Sequence, residues 1–233
     1  MSNPTISCVI PAYNAEMYLD ESIRSVLNQT VLPIEVIVVD DGSADRTRQI
    51  AESFGEPVRY VVQDGRGPAA ARNFGVTVSK GRLISFCDAD DLWHAHKLER
   101  QLACFNAEPE LLICLTHVQL MWDRALAAEE LHFANHSRGR IVPGFATISM
   151  LSRREAFDRL GLLDASLGSA DAAEWLVRAR DEGLCMRVMP DVLVYHRMHL
   201  SNLTRRKRQQ SADEFLGIVK ASLGRRRNVK GTT

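Results

Sequence analysis

Residues 86–93 read Phe86-Cys87-Asp88-Ala89-Asp90-Asp91-Leu92-Trp93. The apolar run Leu83 to Phe86 ends abruptly there in three carboxylates within four positions. Carboxylates crowded at the end of a buried strand repel one another and lose hydration, at a cost of roughly several kcal/mol unless something compensates. A divalent cation bridging to phosphate is one compensation. Hard oxygen ligands suit Mg²⁺ or Mn²⁺, which take one or two protein carboxylates and fill the remaining positions with phosphate and water. The stretch thus reads as a D-x-D site for a nucleotide diphosphate, or as a polar turn whose Asp caps a helix starting near His94.

The segments around it alternate strand and helix. Ile6 to Ile10 is an apolar strand stopped by Pro11, and Glu16 to Gln29 carries Leu19, Ile23, Val26 and Leu27 on one helical face. Ile34 to Val39 is a second strand, ending at Asp40-Asp41-Gly42-Ser43, where Ser43 or Asp45 is placed to cap the helix Arg46 to Phe54. Val58 to Val62 is a third strand. A Gly65-Arg66-Gly67 turn leads to a helix over Pro68 to Val78. Leu83 to Cys87 is the fourth strand, with a helix over His96 to Asn106. Buried strands separated by helices imply βαβ units and a mainly parallel sheet. Ligands of such sheets bind beyond the carboxyl ends of the strands. Pro11 to Asn14, Asp40-Asp41 and Asp88 to Asp91 all fall at such ends, so three strands aim polar residues at one edge.

The second half is less regular. Leu111 to Trp122 reads as a strand, and Asp123 to Gly139 as a polar loop over the site. Ile148 to Leu151 is a short strand, Arg154 to Leu160 a helix closed by Gly161, and Ala172 to Asp181 a longer helix. Arg187 to Val194 is strand-like but interrupted by Pro190, and Ser211 to Leu223 fits a terminal helix. There is no internal repeat or low-complexity linker, so one continuous domain is expected.

Composition narrows the function classes. The 233 residues are 45% hydrophobic and 25% charged, with zero formal net charge, so no global field points to nucleic acid. From Ser201 onward, however, nine Lys or Arg face only Asp213 and Glu214. That run is either a solvated helix and tail or a weak contact with an anionic membrane. Cys8, Cys87, Cys104, Cys114 and Cys185 are odd in number and lack C-x-x-C spacing. They read as reduced core residues, which fits the cytoplasm. No signal peptide and no bilayer-spanning apolar run is read in the sequence.

Several short strings stand in a set order: Val9-Ile10-Pro11-Ala12-Tyr13-Asn14, Leu19 to Gln29, Val38-Val39-Asp40-Asp41-Gly42-Ser43, Ala70-Ala71-Arg72-Asn73 and Asp88-Ala89-Asp90-Asp91. Together they resemble the family 2 glycosyltransferases, which have the GT-A nucleotide-diphospho-sugar transferase fold. Ser152 to Phe157, Gly161 to Asp164 and Glu174 to Arg180 extend the resemblance to about residue 204. It implies a single α/β GT-A domain over residues 1–204, with a mainly parallel central sheet flanked by helices. Residues 1–110 would form a Rossmann-like, nucleotide-sugar-binding half. Residues 111–204 would form a less regular half that completes the acceptor and metal sites, and 205–233 a basic helix and tail.

The resemblance also implies roles. Pro11, Ala12, Tyr13 and Asn14 would line the nucleotide pocket, and Asp40 would accept a hydrogen bond from a uracil ring NH, with Asp41 beside it. Arg72 and Asn73 lie where the family contacts the donor. Asp90 would ligate Mn²⁺ or Mg²⁺, with Asp88 on the donor or metal, Ala89 on the donor and Asp91 in support. Arg197-Met198-His199-Leu200-Ser201-Asn202 is similar to an R-x-H-x-x-N segment whose His completes the metal site. His199 is therefore the expected further ligand, His196 its substitute, and Arg197 a diphosphate contact. Transfer with inversion needs a base for the acceptor hydroxyl. Asp171 is the first candidate and Glu174 the second. The family places two acids together here, whereas this chain has Ala170 and Ala172 beside Asp171. The expected donor is uridine-linked. The expected acceptor is a hydroxyl, with a lipid-linked one open, and the location is the cytoplasm, including the inner face of the membrane. A catalytically weakened or non-catalytic nucleotide-sugar-binding module is the alternative. A dehydrogenase is disfavoured, because no G-x-G-x-x-G follows the first strand.

Overall fold

The computed structural model describes residues 5–134, 141–168, 170–206 and 208–230. Four parallel strands, β1 (Ile6–Ala12), β2 (Glu35–Asp40), β3 (Val58–Val62) and β4 (Leu83–Phe86), lie in the order β3-β2-β1-β4. Both faces of β1 and β2 are buried, and alternate residues feed different cores. Ile6, Cys8, Ile10, Val36 and Val38 enter one core, and Val9, Ile37 and Val39 the other. This two-sided burial explains continuous apolar runs in place of polar alternation. Each fully buried aliphatic side chain contributes about 1.5–3 kcal/mol.

β1 continues through Pro11 to Ala12, two residues beyond the expected stop. Residues 5 and 9 give their carbonyls to β4, whose pairing with β1 ends at Val9–Phe86. By alternation Pro11 presents its missing N–H to that same side, beyond β4's pairing, so no ladder bond is lost.

Three helices cross back over this set: α1 (Leu19–Leu27), α2 (Thr47–Ser53) and α3 (Pro68–Val78). α1 buries Leu19, Ile23 and Val26 on the first core. α3 lies against the opposite face and approaches β1 closely: a Cβ on Gly75 would stand 2.2 Å from Val9 Cγ1. That approach brings Arg72, one turn earlier, to the carboxyl edge of the sheet.

The remaining elements are β5 (Leu92–Trp93), α4 (Lys97–Ala107), β6 (Ile113–Trp122), α5 (Ala127–Ala134), β7 (Ile141–Pro143), β8 (Leu151–Arg153), α6 (Arg154–Leu160), α7 (Asp171–Asp181), β9 (Met186–Met198), α8 (Leu203–Arg206) and α9 (Arg208–Lys230). They continue the sheet as β4-β8-β6-β9-β5, with β7 on β6. β8 runs antiparallel to β4 and β6, β9 parallel to β6, and β5 antiparallel to β9. The sheet is thus parallel through β4 and mixed beyond it. In the second core Trp175 is fully buried, stacks on Phe157 at 4.7 Å and donates to Gly161 O, which fixes α7 against α6.

Three expectations for the second half change. Residues 124–134 form a 3₁₀ turn and α5, not a loop. Two bonds from Arg205 to Glu129, at 2.6 and 2.7 Å, tie α5 to α8. The rest of that stretch, residues 135–139, lies outside the described residues. Thr147–Ser149 is a 3₁₀ turn, and the strand expected there starts only at Leu151. Pro190 does not end its strand. The β6–β9 register shifts on either side of His117, between the pairs Leu115–Val188 and Val118–Val194, and Pro190 lies in that bulge. β9 therefore runs on to Met198 and delivers residues 196–199 to the carboxylate edge.

Candidate active site

Asp88, Asp90 and Asp91 follow β4 and bring ligand oxygens within 4.8 Å of one another. The turn is pinned from beneath, where Ser22 Oγ of α1 donates to Ala89 O at 2.8 Å. Asp91 is fully buried, accepts from Arg197 N at 2.9 Å and pairs with His196 Nδ1 at 2.9 Å. Burial pushes the Asp91 carboxyl up to about 6, against the pull of His196. Burial likewise opposes the His196 imidazolium, but Asp91, then Asp90 and Asp88, hold it up at about 9. Asp91 and His196 are thus an internal ion pair joining the turn to β9.

Asp90 faces the end of β9. His199 Nε2 lies 2.8 Å from Asp90 Oδ2, and the His199 Nδ1 lies 2.7 Å from Ser201 Oγ. Asn202 sets the turn by accepting from His199 N and donating to Arg197 O at 3.0 Å. Burial opposes ionisation of Asp90, yet the His199 hydrogen bond and the nearby imidazoles hold its carboxyl below the usual range. Arg197 donates to Asp90 O at 3.1 Å and to Glu21 at 2.6 Å, and its guanidinium lies 4.5 Å from the Tyr18 ring centroid. These contacts brace the turn. Tyr18 in turn donates to Asp123 at 2.6 Å and sits 5.0 Å from the His199 ring. Tyr18, Glu21 and Asp123 were not legible as site residues, because their partners lie about a hundred positions or more away in the chain.

Arg72 is buried between two carboxylates. Its Nη2 donates to Asp88 Oδ1 at 2.6 Å and its Nη1 to Asp171 Oδ2 at 3.0 Å, while its buried Nε has no partner among the described residues. Asp171 opens α7 and is only 4% exposed. Glu174, the other acid, gives its carboxylate to Arg178 at 2.9 and 3.1 Å, and Arg178 also binds Leu162 O at 3.0 Å. Glu174 is therefore held in an intrahelical pair, and Asp171 is the acid joined to the cluster.

Four other expected donor contacts make internal hydrogen bonds. Asn73 holds the peptide of Leu163 from both sides of its amide, at 2.8 and 2.9 Å, and so braces α3. Asp40 is 1% exposed and accepts from Ser43 N, Ser43 Oγ and Tyr60 OH at 2.6–2.8 Å, which ties it to the β2 turn. Asp41 accepts from Gln63 Nε2, Arg66 N and Gly67 N and shapes the Gly65–Gly67 turn. Asn14, at φ +47°, trades hydrogen bonds with Ser43 and Ala44. Pro11 and Ala12 are buried beneath, and Tyr13 is 64% exposed, with its ring presented at the rim. A cleft of about 170 Å³ opens between residues 66–69 and 165–168, just ahead of Asp171.

The sequence profile of glycosyl transferase family 2 matches residues 7–161. The chain belongs to glycosyl transferase family 2. Proteins with similar sequences include an uncharacterized glycosyltransferase of Rickettsia typhi, 40% identical over 104 residues, covering 45% of this chain and 33% of that protein. Another, from Haemophilus influenzae, is 42% identical over 106 residues, covering 44% of this chain and 42% of that protein. The chain thus spans less than half the length of these relatives. The fold is also that of S. aureus TarS 1–349, solved in complex with UDP-GlcNAc (TM-score 0.68, 21% identity, 86% of this chain and 60% of that one). The complex of the same protein with UDP gives a TM-score of 0.66 at 22% identity, over 83% of this chain and 60% of that one.

In this family 2 chain the donor set fits a hard divalent cation. Asp88 and Asp90 keep side chains 27% and 28% exposed, while the Asp91 oxygens are taken by His196 and Arg197 N. Two open carboxylates, completed by water or phosphate oxygens, are what Mg²⁺ or Mn²⁺ takes. His199 Nε2 is directed at Asp90, where it orients that carboxylate and stands ready at the same edge.

Proposed function

We propose that the protein is a metal-dependent, inverting glycosyltransferase that moves a sugar from a uridine-diphosphate donor to a hydroxyl acceptor. The observation that carries this reading is the meeting of Asp88, Asp90, His199, Arg72 and Asp171 at one sheet edge in a family 2 chain. UDP and UDP-GlcNAc in the TarS structures support the uridine-linked donor. Five cysteines without disulfides fit a cytoplasmic setting.

In this mechanism Asp88 and Asp90 would hold the cation, with His199 keeping Asp90 oriented. Mn²⁺ or Mg²⁺ held there would supply Lewis-acid neutralisation of the diphosphate. Tyr13 offers a ring face to the nucleoside at the rim. Asp171 takes the proton of the acceptor hydroxyl as its oxygen bonds to the anomeric carbon and the bond to the diphosphate oxygen breaks. Arg72 aims the Asp171 carboxylate and, through Asp88, ties the base to the donor side. The cleft ahead of Asp171 is the acceptor side.

A thermal-shift screen of nucleotide diphosphates and their sugars, with and without Mn²⁺, tests the reading. Stabilisation by a uridine compound that requires Mn²⁺ is expected, followed by UDP release on incubation with donor. Stabilisation only by NAD would overturn it. A second reading, a binding module without turnover, draws on the alanines flanking Asp171. Mn²⁺-dependent UDP-sugar binding without hydrolysis or transfer across an acceptor panel would favour it.

A further inference from the structure

α7 starts without a cap of its own. Ala170 stands ahead of it with no side-chain hydrogen bond, and the Ala170 carbonyl accepts the first helical bond, from Glu174 N at 2.9 Å. In a capping box, an acid at the third helical position returns to the N–H of the residue at this point. Here the third position is Ala173. Of the acids in the first turn, Asp171 pairs with Arg72 and Glu174 with Arg178. The carboxylate comes instead from another helix. Glu214 of α9 accepts from Ala170 N at 3.2 Å and from Gly168 N at 2.8 Å. Its charge also lies at the positive end of the α7 dipole.

Glu214 reaches this point because α9 runs along α7 in the same direction. Glu214, Ile218, Ser222 and Arg225 recur at helical spacing on one face. Ile218 and Ser222 are buried, Arg180 donates to Ser222 Oγ at 3.3 Å, and Arg225 pairs with Asp181 at 2.9 Å. Glu214 thus stands at the start of α7 and Arg225 at its end. What Glu214 grips is the acceptor side. Residues 165–168 form one wall of the cleft that faces residues 66–69, and Gly168 belongs both to that wall and to the Glu214 bond. Asp171 follows, buried, with its Oδ2 3.0 Å from Arg72 Nη1. Hydrogen bonds to a charged acceptor are the stronger kind. One carboxylate, 44 positions beyond Ala170, therefore holds both the cleft wall and the first turn of α7. Asp171 and Glu214 both lie beyond residues 7–161, the span matched by the family profile.

We propose that Glu214 is a positioning residue of the acceptor side. It sets the start of α7 so that the Asp171 carboxylate meets Arg72, and it fixes the cleft wall at Gly168. The catalytic consequence rests on the reading of Asp171 as the base. α9 is then a part of the transferase site and not an addition to it.

Two measurements on the full chain test this. The first needs no ligand. A double-mutant cycle in urea unfolding gives the coupling between Arg72→Met and Asp171→Asn, and introducing Glu214→Ala should cut that coupling to about half or less. Arg225→Gln, which loosens α9 at its far end, should lower stability and leave the coupling unchanged. The second is UDP release from a panel of UDP-hexoses and UDP-N-acetylhexosamines in Mn²⁺. Glu214→Ala should slow release about tenfold or more while Mn²⁺-dependent UDP affinity stays within about twofold of wild type. Glu214→Gln, whose amide oxygen still accepts a hydrogen bond, should recover part of the loss. In an Asp171→Asn background Glu214→Ala should slow release no further. Should the combined variants fail to fold, the single changes decide through UDP release. Unchanged coupling in Glu214→Ala overturns the proposal, and so does undiminished UDP release. No release by wild type, with the coupling lost in Glu214→Ala, would overturn the transferase reading instead and leave Glu214 as the residue that sets Asp171 against Arg72.

Discussion

His199 Nε2 lies 2.8 Å from Asp90 Oδ2, although 109 residues separate them in the chain. The last residues of β9 are thereby brought against the turn after β4, and one carboxylate is held by an imidazole that is itself anchored on Ser201. Asp90→Ala should abolish Mn²⁺-dependent binding of UDP, while His199→Ala should weaken it about 10- to 100-fold. Isothermal titration with and without Mn²⁺ measures both. Full metal-dependent affinity in Asp90→Ala would remove the metal assignment.

Arg72 joins the two sides of the site, so its loss should be felt twice. Arg72→Met leaves buried Asp171 unpaired and should cost about 3 kcal/mol in urea unfolding. Combined with Asp171→Asn, the two changes should be non-additive by about 1 kcal/mol or more. Strict additivity would mean that the ion pair is not coupled.

Asp171 and Glu174 are separable by kinetics. Asp171→Asn should keep donor affinity and lose transfer by about 100-fold or more. Glu174→Gln should keep transfer, because that carboxylate already belongs to Arg178, and lose only about 0.5 kcal/mol of stability. The reverse pattern reassigns the base to Glu174.

Lys97 gives a pH signature. It is fully buried, donates to Ser85 Oγ and Gln101 Oε1 at 3.0 Å each and lies 4.0 Å from the centroid of the Trp93 ring. Burial pulls its ammonium down from 10.5 to about 8. Between those values the unfolded chain binds the proton more tightly, so this group's contribution to stability rises with pH, by at most about 3 kcal/mol. Burial pushes the thiols of Cys8, Cys87 and Cys114 up, which acts in the opposite direction at alkaline pH. The clean measurement is therefore the stability difference between wild type and Lys97→Met from pH 8 to about 10. Wild type should gain on the variant across that window, and a flat difference would mean that Lys97 is not perturbed.

What the chain determined unaided is its layered α/β plan and the edge where the site lies. The apolar stripe Leu19, Ile23, Val26, the unbroken runs of β1, β2 and β4, and the bounds of β3, α3 and α6 are local signals: periodicity, turn residues and two-sided burial. The carboxylates at 88–91 are equally local, whereas the His199 segment is read only through its likeness to the family. Only the tertiary structure decided which partner each polar atom takes. Asn73 is taken by Leu163 and Glu174 by Arg178, Asp40 is bonded to Tyr60 and Ser43, and Arg72 bridges Asp88 to Asp171. α5 escaped the sequence reading because its polar segment is tied down by Arg205, some 76 positions away. The physical reason is common to all of these. Burial and backbone pattern are set by neighbours along the chain, whereas a hydrogen-bonding group commits to whichever partner folding brings within about 3 Å.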